Sequence, residues 1–182
     1  MKQKLFLLVL ALQCAWILGT TAMQEHALAT GQVILLETAR VDPRDLLRGD
    51  YLILNYAISD VPTNLFSPRL GQDVPPGTKV FVALEPGTNQ FYHVMKASTN
   101  ALAPENGQVV LKGATGWFWG GPQAGRVHVE YGLERYYVRE GTGNPAGKLT
   151  VRAVATASGQ ARIKEVLLDG KPYAGAMKAA ER

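Results

Sequence analysis

Arg126-Val127-His128-Val129-Glu130-Tyr131 alternates polar and apolar residues without a break. An extended strand puts Val127, Val129 and Tyr131 on one face and Arg126, His128 and Glu130 on the other, whereas a helix would scatter them. The same two-residue period recurs on both sides of this stretch. Lys79 to Glu85 and Gln90 to Ala97 flank Pro86-Gly87, a hairpin signal, and Asn106-Gly107, the strongest short hairpin turn, leads into Gln108 to Lys112. Lys148 to Ala157 and Ala161 to Leu168 flank Ser158-Gly159-Gln160, with Asp169-Gly170 closing the pair, and Gln32 to Ala39 and Tyr51 to Ser59 are β-rich as well. Nothing after Thr30 holds a helical period for more than two turns. The pattern predicts an all-β domain, a small barrel or sandwich of about eight or nine mostly antiparallel strands. Two irregular stretches break it: Pro62 to Pro76, expected to be a surface loop or lid, and Gly113 to Gly125, which carries Trp117-Phe118-Trp119.

The N-terminus follows another rule. Met1-Lys2-Gln3-Lys4 is a short positive head, and Leu5 to Met23 contains no charged side chain. These nineteen residues span roughly 28 Å as a helix, close to the thickness of bilayer hydrocarbon. Thr20-Thr21-Ala22 is a mediocre signal-peptidase exit, and Gln24 to Ala29 continues in good helix formers. The expectation is an uncleaved transmembrane anchor with a short helical extension over residues 1–30, followed by an exported β domain over 31–182. A cleaved, soluble product is the alternative. Lys2 and Lys4 place the N-terminus in the cytoplasm by the positive-inside bias. Cys14 is preceded by Leu12 and Gln13 rather than the small residues of a lipidation site.

Composition excludes several classes of function. Of 182 residues, 47% are hydrophobic and 19% charged, too apolar for disorder and enough for a core. The net charge of +4 falls to +2 once the head is set aside, and no basic run is present, so nucleic acid is not an expected partner. The single cysteine excludes an internal disulfide and a cysteine-cluster metal site. His26, His93 and His128 lack metal-ligand spacing, so no metal and no cofactor are expected.

The segment richest in chemistry is Val41-Asp42-Pro43-Arg44-Asp45-Leu46-Leu47-Arg48-Gly49-Asp50-Tyr51-Leu52-Ile53-Leu54-Asn55-Tyr56. If Tyr51 opens a strand, Leu52, Leu54, Tyr56 and Ile58 share one face and enter the core, while Gly49 and Asp50 make the turn that starts it. The charged group Asp42, Arg44, Asp45, Arg48 and Asp50, with Tyr51, is the candidate binding loop on this scaffold. Gly49-Asp50-Tyr51, then Leu54, then Tyr56, followed by a second block at Val129-Glu130-Tyr131-Gly132-Leu133-Glu134-Arg135-Tyr136-Tyr137-Val138, resembles the GDYXXLXY protein family of bacterial membrane-anchored proteins. The resemblance covers the whole chain, with one departure. Family members tend to carry a longer insertion after the Tyr-Tyr-Val block, where this chain has only Glu140 to Pro145.

The resemblance implies a single-pass protein of the bacterial inner membrane with a periplasmic domain, encoded beside multi-spanning membrane proteins, and no known activity. Tyr131 and Glu134 join the candidate binding residues, because the two blocks are expected to lie close together and to exchange polar partners. The leading expectation is a non-enzymatic binding or assembly module for a multi-spanning membrane partner. The alternative is an envelope hydrolase or carbohydrate-binding protein using Glu130, Glu134 and the Trp117 to Trp119 loop. A Gly-Asp turn behind an anchor also resembles the signal-peptidase-like serine–lysine proteases in outline. No serine occurs between Met1 and Tyr56, so that chemistry is excluded.

Overall fold

The computed structural model describes residues 2–39, 51–70, 74–105, 107–116, 125–138 and 147–173. One helix, α1 (Lys2–Thr30), precedes eleven strands among them: β1 (Gln32–Glu37), β2 (Tyr51–Ile53), β3 (Asp60–Pro62), β4 (Lys79–Pro86), β5 (Tyr92–Ser98), β6 (Val109–Thr115), β7 (Arg126–Glu130), β8 (Arg135–Tyr137), β9 (Leu149–Ala155), β10 (Ala161–Leu168) and β11 (Lys171–Pro172). They form a four-stranded sheet ordered β1-β9-β10-β11, a two-stranded ribbon β2-β8 and a five-stranded sheet ordered β3-β7-β6-β4-β5. Every ladder is antiparallel. The fold is thus all-β behind one apolar helix.

All three sheets feed a single core, with Ile34 and Leu36 of β1, Leu52 of β2, Val80, Val82 and Leu84 of β4, Leu111 of β6, Val127 and Val129 of β7, and Val151 of β9 all buried. The β7 alternation holds as read: Val127, Val129 and Tyr131 are buried, and Arg126 and Glu130 are exposed. Pro86-Gly87 turns β4 into β5, with Gly87 N–H donating to Phe91 O at 2.9 Å. Residues 156–160 join β9 to β10, where Thr156 N–H donates to Gln160 O at 2.8 Å. Asp169 and Gly170, at φ +49° and +80°, supply the left-handed pair that a tight β10–β11 turn requires.

The structure departs from the expected layout in four places. The strand count rises to eleven because β3, β8 and β11 are two or three residues long, too short to display a period. Tyr51 to Ser59 is not one strand. It leaves β8 after Ile53, yet its burial keeps alternating through Leu54, Tyr56 and Ile58. Gly107 takes the left-handed φ of +82° expected of a turn, but β5 and β6 are not hairpin partners, since β4 lies between them. The stretch after Pro62 is no free lid over residues 63–70: Thr63–Leu65 forms a 3-10 turn, Phe66 is buried, and Ser67 N–H donates to Ala97 O at 2.9 Å.

The helix, unlike the long strands, has no buried apolar face. Leu5, Phe6, Leu7, Leu8, Trp16, Ile17 and Leu18 are all more than half exposed, and Gln3–Thr30 has the length and hydropathy of a membrane span or signal sequence. Its foot, by contrast, is held. Gly31 N–H donates to Ala27 O at 3.0 Å, and the next residue already pairs with Ala155 of β9. A Cβ at Gly31 would run into the Val154 side chain and come within 2.9 Å of Ala27 O. Gly31→Ala should therefore cost about 1–3 kcal/mol through overpacking. Gly19→Ala, with nothing within 4 Å of its Cβ, should cost nothing. Thermal melts of the full-length protein in detergent check both.

Candidate functional site

The two sequence blocks meet. Tyr51, Leu52 and Ile53 pair with Tyr137, Tyr136 and Arg135, and Leu54 N–H extends the ladder by donating to Glu134 O at 2.8 Å. Beyond Leu54 the first block changes partners. Ala39 N–H donates to Asn55 O at 2.7 Å and Ala57 N–H to Glu37 O at 3.0 Å, which ties it to the end of β1. Val129 N–H then donates to Ser59 O at 2.7 Å, and β3 pairs with β7. Residues 51–62 thus touch all three sheets in succession.

Two tyrosines lock this crossing. The Tyr56 hydroxyl donates to Leu133 O at 2.7 Å, and the Tyr131 hydroxyl donates to Ile58 O at 2.8 Å, both buried. Each block therefore supplies one phenol and one carbonyl to the other. The loop of the second block is shaped for this: Gly132 sits at φ +78°, where a side chain would strain the backbone, and the Glu134 carboxylate accepts the Tyr131 N–H. Burial, with the nearby Glu134 charge adding, pushes both phenols well above the ordinary tyrosine range, so they stay protonated as donors. Tyr136 packs edge-to-face on Tyr173 at 6.4 Å, so the ribbon is fastened on that side too.

Of the expected binding residues, Asp42, Arg44, Asp45, Arg48, Gly49 and Asp50 lie outside the described residues, as do Trp117 to Trp119 and Glu140 to Pro145. Tyr51 stands opposite Tyr137 in the β2–β8 register. Tyr131 and Glu134 are brought to the first block, but as parts of the clasp, with the Tyr131 hydroxyl and the Glu134 carboxylate both engaged. Leu54 and Tyr56 are core residues, as the strand reading requires. His128 pairs across the strands with Asp60 at 2.9 Å on a partly exposed face. Among the described residues no group of three or more His, Cys, Asp or Glu is placed to hold a metal.

One face of the clasp opens into a cleft of about 1020 Å³ between β6, β7, the second block and β10, with Leu28 of α1 at its rim. Lys79, Lys112, Arg135 and Arg162 line it, with Glu130 the one carboxylate among the described lining residues. Sequence inspection finds no basic cluster because these four cations come from four different strands. Only the pairing of β4 with β6, with β8 and β10 lining the same cleft, brings them together. Arg135 was visible within the second block; nothing in the sequence signals the other three.

These features define a class: a small β domain fused directly to an apolar N-terminal helix and closed by a reciprocal tyrosine clasp. The chain belongs to the GDYXXLXY protein family, whose model matches residues 13–166, from within α1 to the middle of β10. No curated protein and no solved structure matches it. The geometry supplies a physical account of the pattern: its Leu54 and Tyr56 are the positions sent into the core, and Tyr56 carries half of the clasp.

Tyr56→Phe or Tyr131→Phe leaves a buried carbonyl without its donor, so each should lower stability by about 1–3 kcal/mol. A double-mutant cycle should show coupling, because the two bonds brace one crossing. The raised phenol pKa values also fix a pH dependence. Below the ordinary tyrosine value of 10.0 both phenols are protonated, folded or unfolded, and their contribution is fully present. Above it the unfolded chain ionises first, so stability should fall by about 1.4 kcal/mol per pH unit for each phenol. Urea titrations from neutral pH to about one unit above the ordinary tyrosine value should show a shallower alkaline loss in the double Phe variant.

Proposed function

We propose that this is an envelope protein held in the bacterial inner membrane by α1, with its N-terminus in the cytoplasm and its β domain in the periplasm. There it serves as a non-enzymatic binding or assembly module for a multi-spanning membrane protein. The observation that carries this reading is the absence of a linker: Gly31 alone separates α1 from β1. A domain meant to range through the periplasm would be tethered by a long polar segment. This one is set on its helix so that a single end always faces the bilayer, as a docking platform requires.

Further support comes from the helix itself. It runs through the weak exit at Thr20-Thr21-Ala22 to Thr30, and Arg162 of β10 donates to Gln24 at 3.4 Å, an exposed contact between the foot of the helix and the sheet. The positive head favours a cytoplasmic N-terminus. The hydrolase alternative draws less from the geometry, because the Glu134 carboxylate is engaged by Tyr131 N–H and leaves Glu130 without a second carboxylate to work with among the described residues of the cleft.

Fractionation and crosslinking test the reading. The full-length protein should remain in the inner-membrane pellet after an alkaline wash, and a soluble form beginning near Met23 would overturn the anchor. A photoreactive residue at Gln160, on the rim of the cleft, should crosslink to one multi-spanning membrane protein. The same residue at exposed Lys171, paired with Leu168 at the end of β10 opposite the helix foot, should not. Equal adducts at both positions, or turnover of a cell-wall or sugar substrate by the purified protein, would overturn the module.

A further inference from the structure

The cleft beside the foot of α1 combines charge, position and an apolar rim in a way that points to one kind of ligand. In the β4–β6 ladder Lys79 faces Ala114, and Lys112 lies two residues from Ala114 on the same strand. Both lysines therefore project from one face as diagonal neighbours, and both are exposed. Glu130 faces Ala114 from the other side and offsets part of their charge. Arg135 enters from β8, and Arg162 from β10, where its bond to Gln24 holds it against the helix. Lys79, Lys112 and Arg162 face one carboxylate, Glu130, among the described lining residues around a space of about 1020 Å³, the composition of an anion site.

Its height is set by the helix. The apolar run ends at Met23, and Leu28 stands five residues further on, about 7–8 Å along the axis. Headgroups extend roughly 5–8 Å beyond the hydrocarbon on each side of a bilayer. With the run seated in hydrocarbon, the rim at Leu28 lies at the level of the lipid phosphates. Leu28, Ala161 and Ile163 add an apolar margin to the basic wall, the combination an amphiphile's head and upper chain require.

We propose that this cleft binds the phosphate of an anionic lipid headgroup, with Lys79 and Lys112 as its principal contacts and Arg162 closing the site. The inference rests on the anchored reading above. Bound lipid would sit between the domain and any membrane partner, so the cleft would report the composition of the leaflet to the assembly.

The test uses full-length protein in a neutral detergent, with phosphatidylglycerol or phosphatidylcholine added and lipid retention read by native mass spectrometry. Phosphatidylglycerol should be retained in preference to phosphatidylcholine. Lys79→Gln with Lys112→Gln should reduce that retention by roughly tenfold or more. Lys96→Gln with Lys171→Gln, which removes the same charge from exposed positions away from the cleft, should leave it unchanged. Unaltered melting of both variants confirms that folding is not the cause. Equal retention of the two lipids, or equal losses in the two double variants, would overturn the proposal. Displacement of the lipid by millimolar inorganic phosphate would do so as well, by identifying a soluble phosphate as the ligand. Flotation with phosphatidylcholine vesicles reports the anchor separately. A protein that floats without preferring phosphatidylglycerol defeats this inference alone, and one that fails to float defeats the anchored reading.

Discussion

Two hydroxyl-to-carbonyl bonds, Tyr56 to Leu133 and Tyr131 to Ile58, constrain everything else in this fold. They sit where residues 51–62 pass from the β2–β8 ribbon to the end of β1 and on to β7. A segment that changes ladder partners this often leaves backbone groups without strand neighbours, and buried backbone groups must find partners elsewhere. The phenols provide them, each reaching from one block to a carbonyl of the other. Deleting either would free a carbonyl in the core and loosen the place where three sheets share one hydrophobic interior.

The same crossing explains why the family pattern takes the form it does. Leu54 fills the core while its N–H extends the β8 ladder, and Tyr56 needs both a ring to bury and a hydroxyl to donate. A phenylalanine would meet the first need only. Glu134 is placed to brace the partner loop through Tyr131 N–H, and its charge helps to keep both phenols protonated. Turn, ladder and clasp are thus one cooperative unit rather than three local features.

How much of this was legible depended on the range of the interaction. The strand at Arg126 to Glu130 was plain because alternation is written into consecutive residues, and the core side of Leu52, Leu54, Tyr56 and Ile58 followed from the same period. The Pro86-Gly87 and Ser158-Gly159-Gln160 turns were also local. Asn106-Gly107 misled because a turn residue specifies a bend, not which strand comes next to it; β4 outcompeted β5 as the neighbour of β6. Asp60 to Pro62 was invisible, since three residues carry no period. The cationic cleft was hidden most deeply. Lys79, Lys112, Arg135 and Arg162 are scattered through the chain, and only strand order makes them neighbours.

The junction at Gly31 has a mechanical meaning. One residue separates α1 from β1, and the space where a Cβ at that residue would lie is filled by Val154. In a bilayer thicker or thinner than its apolar run, a single helix adjusts mainly by tilting. On the anchored reading proposed above, with one residue between α1 and β1, such a tilt would pass to β1 and its partner β9 as a rotation of the domain, and the thickness of the bilayer would bias the angle at which the domain stands.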